Sequence, residues 1–208
     1  IQTPSLENVV KIFDYGEGVI RMMTFAPELC SEEVLDFLLH QNIVLSAGHT
    51  NATYEQAMAA FDKGIRAATH LFNAMSALQH RAPGMVGAIF DHPGVSVSLV
   101  ADGHHVDFPV IRISKKLLGE RLFLITDAVT ESLDGRYTHR LEGDKYVVAD
   151  GTLSGSALTM IGAVKNCIEH AGIPPEEAFR MASLYPARVL GLDHQYGKIE
   201  AGYVENFV

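Results

Sequence analysis

The sequence predicts an α/β fold built on a parallel sheet, and three observations carry that prediction. Short apolar runs alternate with amphipathic helical stretches, the run at residues 95–101 holds no charged side chain, and four runs end in a polar segment holding a histidine or an aspartate. Strand–helix alternation is the pattern of parallel sheets. A strand without charges suits burial on both faces, and in open sheets and barrels alike the carboxyl ends of strands carry the functional groups.

The first strand is expected over residues 19–25 and is closed by Ala26, Pro27 and Glu28. Ser31 then suits an N-cap, with Glu32 and Glu33 at the positive end of the helix dipole and Val34, Leu35, Leu38 and Leu39 as the inner stripe. Residues 43–47 form a second strand ending at Gly48 and His49. Asn51 or Thr53 can start a helix with Tyr54, Ala57, Met58 and Phe61 inward, stopped by Gly64. Strands follow at 65–69, ending at His70; at 95–101, running into Asp102, Gly103, His104 and His105; and at 122–126, ending at Asp127, with a helix around 110–118 before the last. Residues 135–150 are polar and rich in turn formers, as a hairpin excursion would be. Helices are expected over 156–170 and 174–184, and the tail 197–208 reads as a turn and a strand. Five strands fit an open sheet or part of a barrel, since a full eightfold barrel takes about 250 residues.

A chain of 208 residues with 48% apolar and 20% charged side chains has the material for a sizeable core, which argues against disorder. The net charge of −9 argues against nucleic acid or an anionic membrane surface as a global partner. Cys30 and Cys167 lie far apart and fit a reducing, cytoplasmic setting without a disulfide framework. No run of apolar residues is long enough to span a membrane, and the start lacks the pattern of a signal peptide. The absence of an initiator Met raises the expectation that the chain begins inside a longer protein.

His49, His70, His105 and Asp127 are spaced by 21, 35 and 22 residues, each interval long enough for a strand–helix unit. On adjacent parallel strands they would converge on one rim, where imidazoles and a carboxylate supply the ligands and the base of a hydrolytic metal site. Any one of them alone could simply cap its strand. Periodicity does not choose between His104 and His105. His80 and Arg81 share a long loop, where Arg81 is either solvated or a phosphate clamp. Residues 151–156 (GTLSGS) precede a helix and could cradle an anion, without matching the usual phosphate-loop patterns. The remaining histidines (His40, His92, His139, His170 and His194) fall on helices or in turns and read as ordinary surface groups.

Several segments in order resemble the N-acetylglucosamine-6-phosphate deacetylase family of the amidohydrolase superfamily. They are Thr24-Phe25-Ala26-Pro27-Glu28, residues 46–53 (SAGHTNAT), Ala68-Thr69-His70-Leu71-Phe72-Asn73-Ala74-Met75, Arg81-Ala82-Pro83-Gly84, residues 101–107 (ADGHHVD), Ile125-Thr126-Asp127-Ala128, residues 151–160 (GTLSGSALTM) and Leu184-Tyr185-Pro186-Ala187-Arg188. The resemblance implies a partial (β/α)8 barrel over residues 1–196, with 197–208 returning toward a small β-sandwich domain. It implies hydrolysis of the acetamide of N-acetylglucosamine 6-phosphate to glucosamine 6-phosphate and acetate, in amino sugar catabolism. His49 and His70 would ligate a divalent metal, with Zn the first expectation and Fe, Co or Ni compatible with the same ligands. Asp127 would be the acid/base, and His105, rather than His104, would hydrogen-bond the substrate carbonyl. Asn73 and the Ala74 backbone would contact the phosphosugar, and the backbone at Leu153 and Ser154 would border the sugar. Arg81 would reach the phosphate in a neighbouring subunit, which implies a homodimer.

Two departures accompany the match. The family's metal-ligating glutamate sits in a His-Leu-Glu-Gly-Pro motif, which this sequence does not contain, and Glu205-Asn206 stands where the family has Ala-Asp or Ala-Asn. The chain is therefore expected to be the C-terminal portion of a longer enzyme, inactive or self-associating by itself. Two alternatives stay open: another metal-dependent amidohydrolase, such as one acting on a cyclic amide, or a non-catalytic remnant that binds a phosphosugar or a partner.

Overall fold

All five predicted strands form, each shorter than its apolar run. A computed structural model describes residues 3–132 and 138–206. The strands are β1 (Met22–Phe25), β2 (Val44–Ala47), β3 (Ala67–Ala68), β4 (Ser96–Val100) and β5 (Leu122–Ile125), in the sheet order β1-β2-β3-β4-β5. The chain packs as two compact units, residues 1–97 and 98–208.

In the first unit the pairing is parallel and in step: Phe25 pairs with Ala47, Ala47 with Ala68, and Ala68 with Val97. That register brings the carboxyl ends of β1, β2 and β3 level, so the residues that follow each strand become neighbours. β1 starts only at Met22 because Gly18 turns the chain at φ +78° and leaves Val19 exposed. β3 is two residues long, yet its ladder continues through Thr69 N–H to Ala47 O at 2.9 Å and Ser96 N–H to Arg66 O at 3.0 Å.

Local chemistry sets the helix starts. Ser31 Oγ accepts from Val34 N–H and opens α2 (Glu32–Leu39), where Val34, Leu35 and Leu38 are buried and Leu39 only partly. Thr53, not Asn51, caps α3 (Tyr54–Asp62), and a reciprocal bond to Gln56 completes a capping box. Three helices go beyond the sequence expectation: α1 (Leu6–Gly16), capped by Ser5; α4 (Gly84–Asp91); and, in the second unit, α8 (Leu184–Val189). α4 is buried on nearly every side, so its sequence carries no polar face and no amphipathic period. Leu38, Ile65, Leu71, Met85 and Ile89 are fully buried at the centre of this unit.

In the second unit α5 (Phe108–Leu118), α6 (Met160–Glu169), α7 (Pro175–Ala182) and α8 pack against β5. Leu99, Ile111, Leu122, Leu124 and Met181 are its fully buried large side chains. The polar excursion is more than a hairpin. Residues 133–137 lie outside the described residues; the rest forms β6 (Arg140–Glu142) and β7 (Lys145–Val147), which join β8 (Leu153–Ser156) in an antiparallel three-stranded sheet.

Two expected features are absent among the described residues. Residues 151–156 are not a loop feeding a helix: Leu153–Ser156 is a strand, and α6 begins at Met160 behind its Thr159 cap, so no helix amides gather around that segment. The tail strand does not form over residues 197–206, which are turns and coil. Among the described residues, no helix is long and apolar enough to cross a membrane.

Candidate active site

The level strand ends of the first unit collect three hydroxyls and two imidazoles. Just past β3, Thr69 Oγ1 stands 2.9 Å from Thr24 Oγ1 and 2.7 Å from Ser46 Oγ, a chain of hydroxyls across three strands. Gly48 lies against it without a side chain, because a Cβ there would stand 2.8 Å from Thr24 Cγ2 and 2.9 Å from Thr69 Cβ. The chain then turns sharply at both strand ends, with His49 at φ +49° and His70 at φ +40°. Such left-handed backbone costs a non-glycine residue about 1–3 kcal/mol and persists only where surrounding contacts enforce it. It turns the two rings edge to face, 77° apart, with their Nε2 atoms 2.9 Å from each other. His70 is buried and His49 exposed.

One of those enforcing contacts comes from the 3-10 turn Pro27–Leu29 that follows β1. The Glu28 carboxylate accepts from Thr50 Oγ1 at 2.5 Å and from Asn51 N–H at 2.6 Å, tying down the turn after His49. From the other side Thr50 N–H donates to Ala74 O at 3.0 Å. Ala74 is itself left-handed at φ +46°, and Asn73 is folded back, its Nδ2 on Leu71 O at 3.2 Å. His49, Thr50, Asn51, Ala74 and Met75 line an open cavity of about 290 Å³. Of the expected phosphosugar contacts, Ala74 lines this cavity with His49, whereas Asn73 is not among its lining residues. Arg81 and His80 are exposed in a tight turn closed by the Gln79–Ala82 backbone pair.

The pair fits a divalent metal in its donor chemistry. Two nitrogens bound tetrahedrally at about 2.0–2.1 Å would be about 3.3 Å apart, close to the separation between these Nε2 atoms. Among the described residues no group of three or more His, Cys, Asp or Glu side chains surrounds one point, and these two imidazoles are the candidate ligands brought together here.

In the second unit the strand ends carry Asp102, His105 and Asp127. Asp127 follows β5, is exposed, and has φ +49°, the third strand-end functional candidate in a left-handed conformation. Its backbone carbonyl accepts from Ser156 N–H at 2.9 Å, and Ser156 Oγ donates to Thr126 O, so the end of β8 braces the turn. That bracing places Leu153 and Ser154 on the neighbouring strand, both half-buried. His105 Nδ1 lies 2.6 Å from Asp102 Oδ2. The bond to Asp102 raises the His105 pKa above its ordinary value against the effect of burial, and the charges of Asp102 and Asp127 push the same way. His104 faces outward to Asp144 instead, which separates the two adjacent histidines that periodicity left undecided. Burial pushes both thiols up, Cys30 to about 11 and Cys167 to about 12, so neither is a ready nucleophile.

Glu28 and Asp102 were not among the residues expected from sequence. The signal for Asp102 is local, an aspartate opening an Asp-Gly-His-His turn at a strand end. Glu28 meets its partners across 22 and 23 residues, and nothing local marks it.

Known proteins resemble this chain in sequence and fold. Residues 5–208 fit the model of the amidohydrolase family. An N-acetylglucosamine-6-phosphate deacetylase of Haemophilus influenzae is 39% identical, over 90% of this chain and 52% of that protein. An N-acetylgalactosamine-6-phosphate deacetylase of Escherichia coli O157:H7 is 40% identical, over 90% and 52% respectively. The crystal structure of N-acetylglucosamine-6-phosphate deacetylase from Pasteurella multocida superposes with a TM-score of 0.90 at 37% identity, covering 99% of this chain and 56% of that one. A mutant Mycobacterium smegmatis enzyme in complex with N-acetyl-D-glucosamine-6-phosphate gives 0.83 at 34%, covering 92% and 54%. The chain belongs to the amidohydrolase family. It spans about half the length of the relatives it matches.

Proposed function

We propose that this chain carries the machinery of a metal-dependent deacetylase acting on N-acetylglucosamine 6-phosphate, within a barrel-type catalytic domain over residues 1–196. The observation that carries the reading is the His49–His70 pair, two imidazoles turned toward one another at 2.9 Å by strained strand-end backbone. His49 and His70 hold a divalent metal, Zn first, which when bound polarises the acetamide carbonyl and acidifies a water.

The remaining steps belong to side chains of this protein. Asp127 takes the proton from the attacking water and returns it to the departing amine, which leaves only once protonated. His105 donates a hydrogen bond to the amide oxygen as charge develops there. Asn73 and the Ala74 backbone hold the phosphosugar, and the Leu153–Ser154 backbone borders the ring. Arg81, exposed at its turn, reaches the phosphate of a second copy's substrate in a cytoplasmic homodimer. Binding energy from that distant phosphate orients the reacting amide.

The test is acetate release by the protein expressed with whatever its reading frame encodes upstream of Ile1. It is measured on N-acetylglucosamine 6-phosphate and its galactosamine epimer, before and after metal removal. The reading requires turnover that is lost on chelation and restored by Zn²⁺, with the glucosamine substrate preferred. A tenfold or greater preference for the epimer, the substrate in the name of the E. coli relative, would reassign the sugar. Turnover indifferent to chelation would reject the metal.

A further inference from the structure

Past the end of β4, one carboxylate receives three hydrogen bonds. Asp102 Oδ1 accepts the backbone N–H groups of His104 at 2.9 Å and His105 at 2.8 Å, while Oδ2 lies 2.6 Å from His105 Nδ1. Both side chains are removed from water, 5% exposed for Asp102 and 7% for His105. Gly103 permits the turn: its φ is +80°, and a Cβ there would stand 2.8 Å from the Phe108 ring. On the helical side of the same loop, Asn166 Nδ2 donates to Ala101 O at 2.8 Å, fixing the backbone from which Asp102 projects.

An ionised carboxylate offers acceptors only, so its contact with Nδ1 fixes a proton on that nitrogen. A neutral His105 would then carry a bare Nε2 that can accept a hydrogen bond but not give one. Nε2 becomes a donor only when the ring is an imidazolium. We propose that Asp102 is a positioning residue that clamps the ring of His105 and keeps both its nitrogens protonated, so that Nε2 serves as a hydrogen-bond donor. The use of that donor toward an amide oxygen rests on the function proposed above; the clamp itself does not.

The charges around the ring agree with this role. Asp102, from the same loop, and Asp127, at the end of β5, both favour the charged ring, and burial opposes it. The third nearby acid, Asp144 in the β6–β7 turn, is engaged by His104 Nε2 at 2.9 Å. Burial would push the Asp102 carboxyl up, but the His105 ring and the two backbone amides more than reverse this and hold it below the ordinary carboxylate range. Asp102 can thus remain ionised although enclosed.

Long-range ¹H–¹⁵N correlation of the 208-residue chain reads the protonation of each ring nitrogen directly, with His105 assigned through His105→Gln. The expected result is a doubly protonated His105 whose titration midpoint lies above the ordinary value of about 6.5. In Asp102→Asn and Asp102→Ser the midpoint falls to that value or below. The serine variant keeps an oxygen that can accept the backbone amides, so it tests the charge without dismantling the turn, and circular dichroism confirms folding. A parent midpoint at or below about 6.5, or a midpoint unmoved in the folded variants, overturns the proposal; if both variants unfold, the parent midpoint decides. In the metal-loaded protein the high-pH limb of kcat/KM should move with the midpoint. A limb that stays in place while the midpoint falls upholds the clamp and removes His105 from the reaction.

Discussion

Removing the Glu28 carboxylate should loosen the turn that presents His49 while leaving the fold in place. Glu28 makes two charge-assisted hydrogen bonds, to Thr50 Oγ1 at 2.5 Å and Asn51 N–H at 2.6 Å. Such bonds contribute about 1.5–3 kcal/mol each, against about 0.5–1.5 for neutral ones, and the low end applies to a half-buried group. In Glu28→Gln the amide oxygen can keep the Asn51 bond and the Thr50 hydroxyl can reverse to accept, so only the charge assistance is lost, about 2 kcal/mol in total. Glu28→Ala loses both bonds, about 3 kcal/mol, and leaves the left-handed strain at His49, about 1–3 kcal/mol, poorly opposed. At about 1.4 kcal/mol per factor of ten, metal affinity should fall roughly 10- to 30-fold in the glutamine variant and about 100-fold in the alanine variant. The Thr50 N–H to Ala74 O bond remains, so global unfolding is not expected. Competition of Zn²⁺ against a chromophoric chelator measures the affinity, and hydrogen exchange at the Asn51 amide reports the tether. An alanine variant with affinity within twofold of the parent and an equally protected Asn51 amide would refute this reasoning.

Three further outcomes follow from the same geometry. In the full-length protein, His49→Ala and His70→Ala should each lose bound metal and nearly all turnover; full metal occupancy by elemental analysis in both variants would remove them as ligands. Gly48→Ala forces a Cβ against Thr24 and Thr69, and overpacking of that kind costs about 1–3 kcal/mol, or about 2–4 °C in Tm per kcal/mol for a chain of this size. An unchanged melting temperature would contradict that contact. The Asp102–His105 pair gives stability a pH window. The raised His105 pKa makes its contribution complete below the unfolded value of 6.5 and lost as pH rises through the folded one. The lowered Asp102 pKa makes its contribution complete above 3.8 and lost as pH falls through the folded value. The parent should therefore exceed Asp102→Ser in urea resistance most clearly between about pH 4 and 6.5, and a difference that is flat from pH 3 to 9 would exclude the linkage.

What the sequence made legible was whatever is encoded locally. Apolar runs marked all five strands, Ser31 marked one helix start and Asn51 or Thr53 another, and the polar residues closing the runs marked His49, His70, His105 and Asp127 as candidates. Pairing is not local, so the strand at Leu153–Ser156 was hidden: Gly151 and Gly155 read as loop formers, and only the partner β7 makes the segment extended. α4 was hidden for the opposite reason, since a helix apolar on every side has no period to detect. The left-handed backbone of His49, His70 and Asp127 left no mark either, because it is imposed by neighbours such as Glu28, Ala74 and Ser156 rather than by glycine at those positions.

The role of Asp127 as proton shuttle is tested most directly by steady-state kinetics of Asp127→Asn, metal-loaded, on N-acetylglucosamine 6-phosphate. Asn keeps the size of the side chain and much of its hydrogen bonding, and Asp127 is exposed at a turn braced by backbone bonds to Ser156, so folding should survive. Loss of a general base typically costs about 10²–10⁴-fold, and one group here is assigned both proton transfers. In the full-length enzyme kcat should fall at least ~10³-fold, with metal still bound and KM little changed. Turnover within about tenfold of the parent would contradict it and leave Asp127 a structural turn residue.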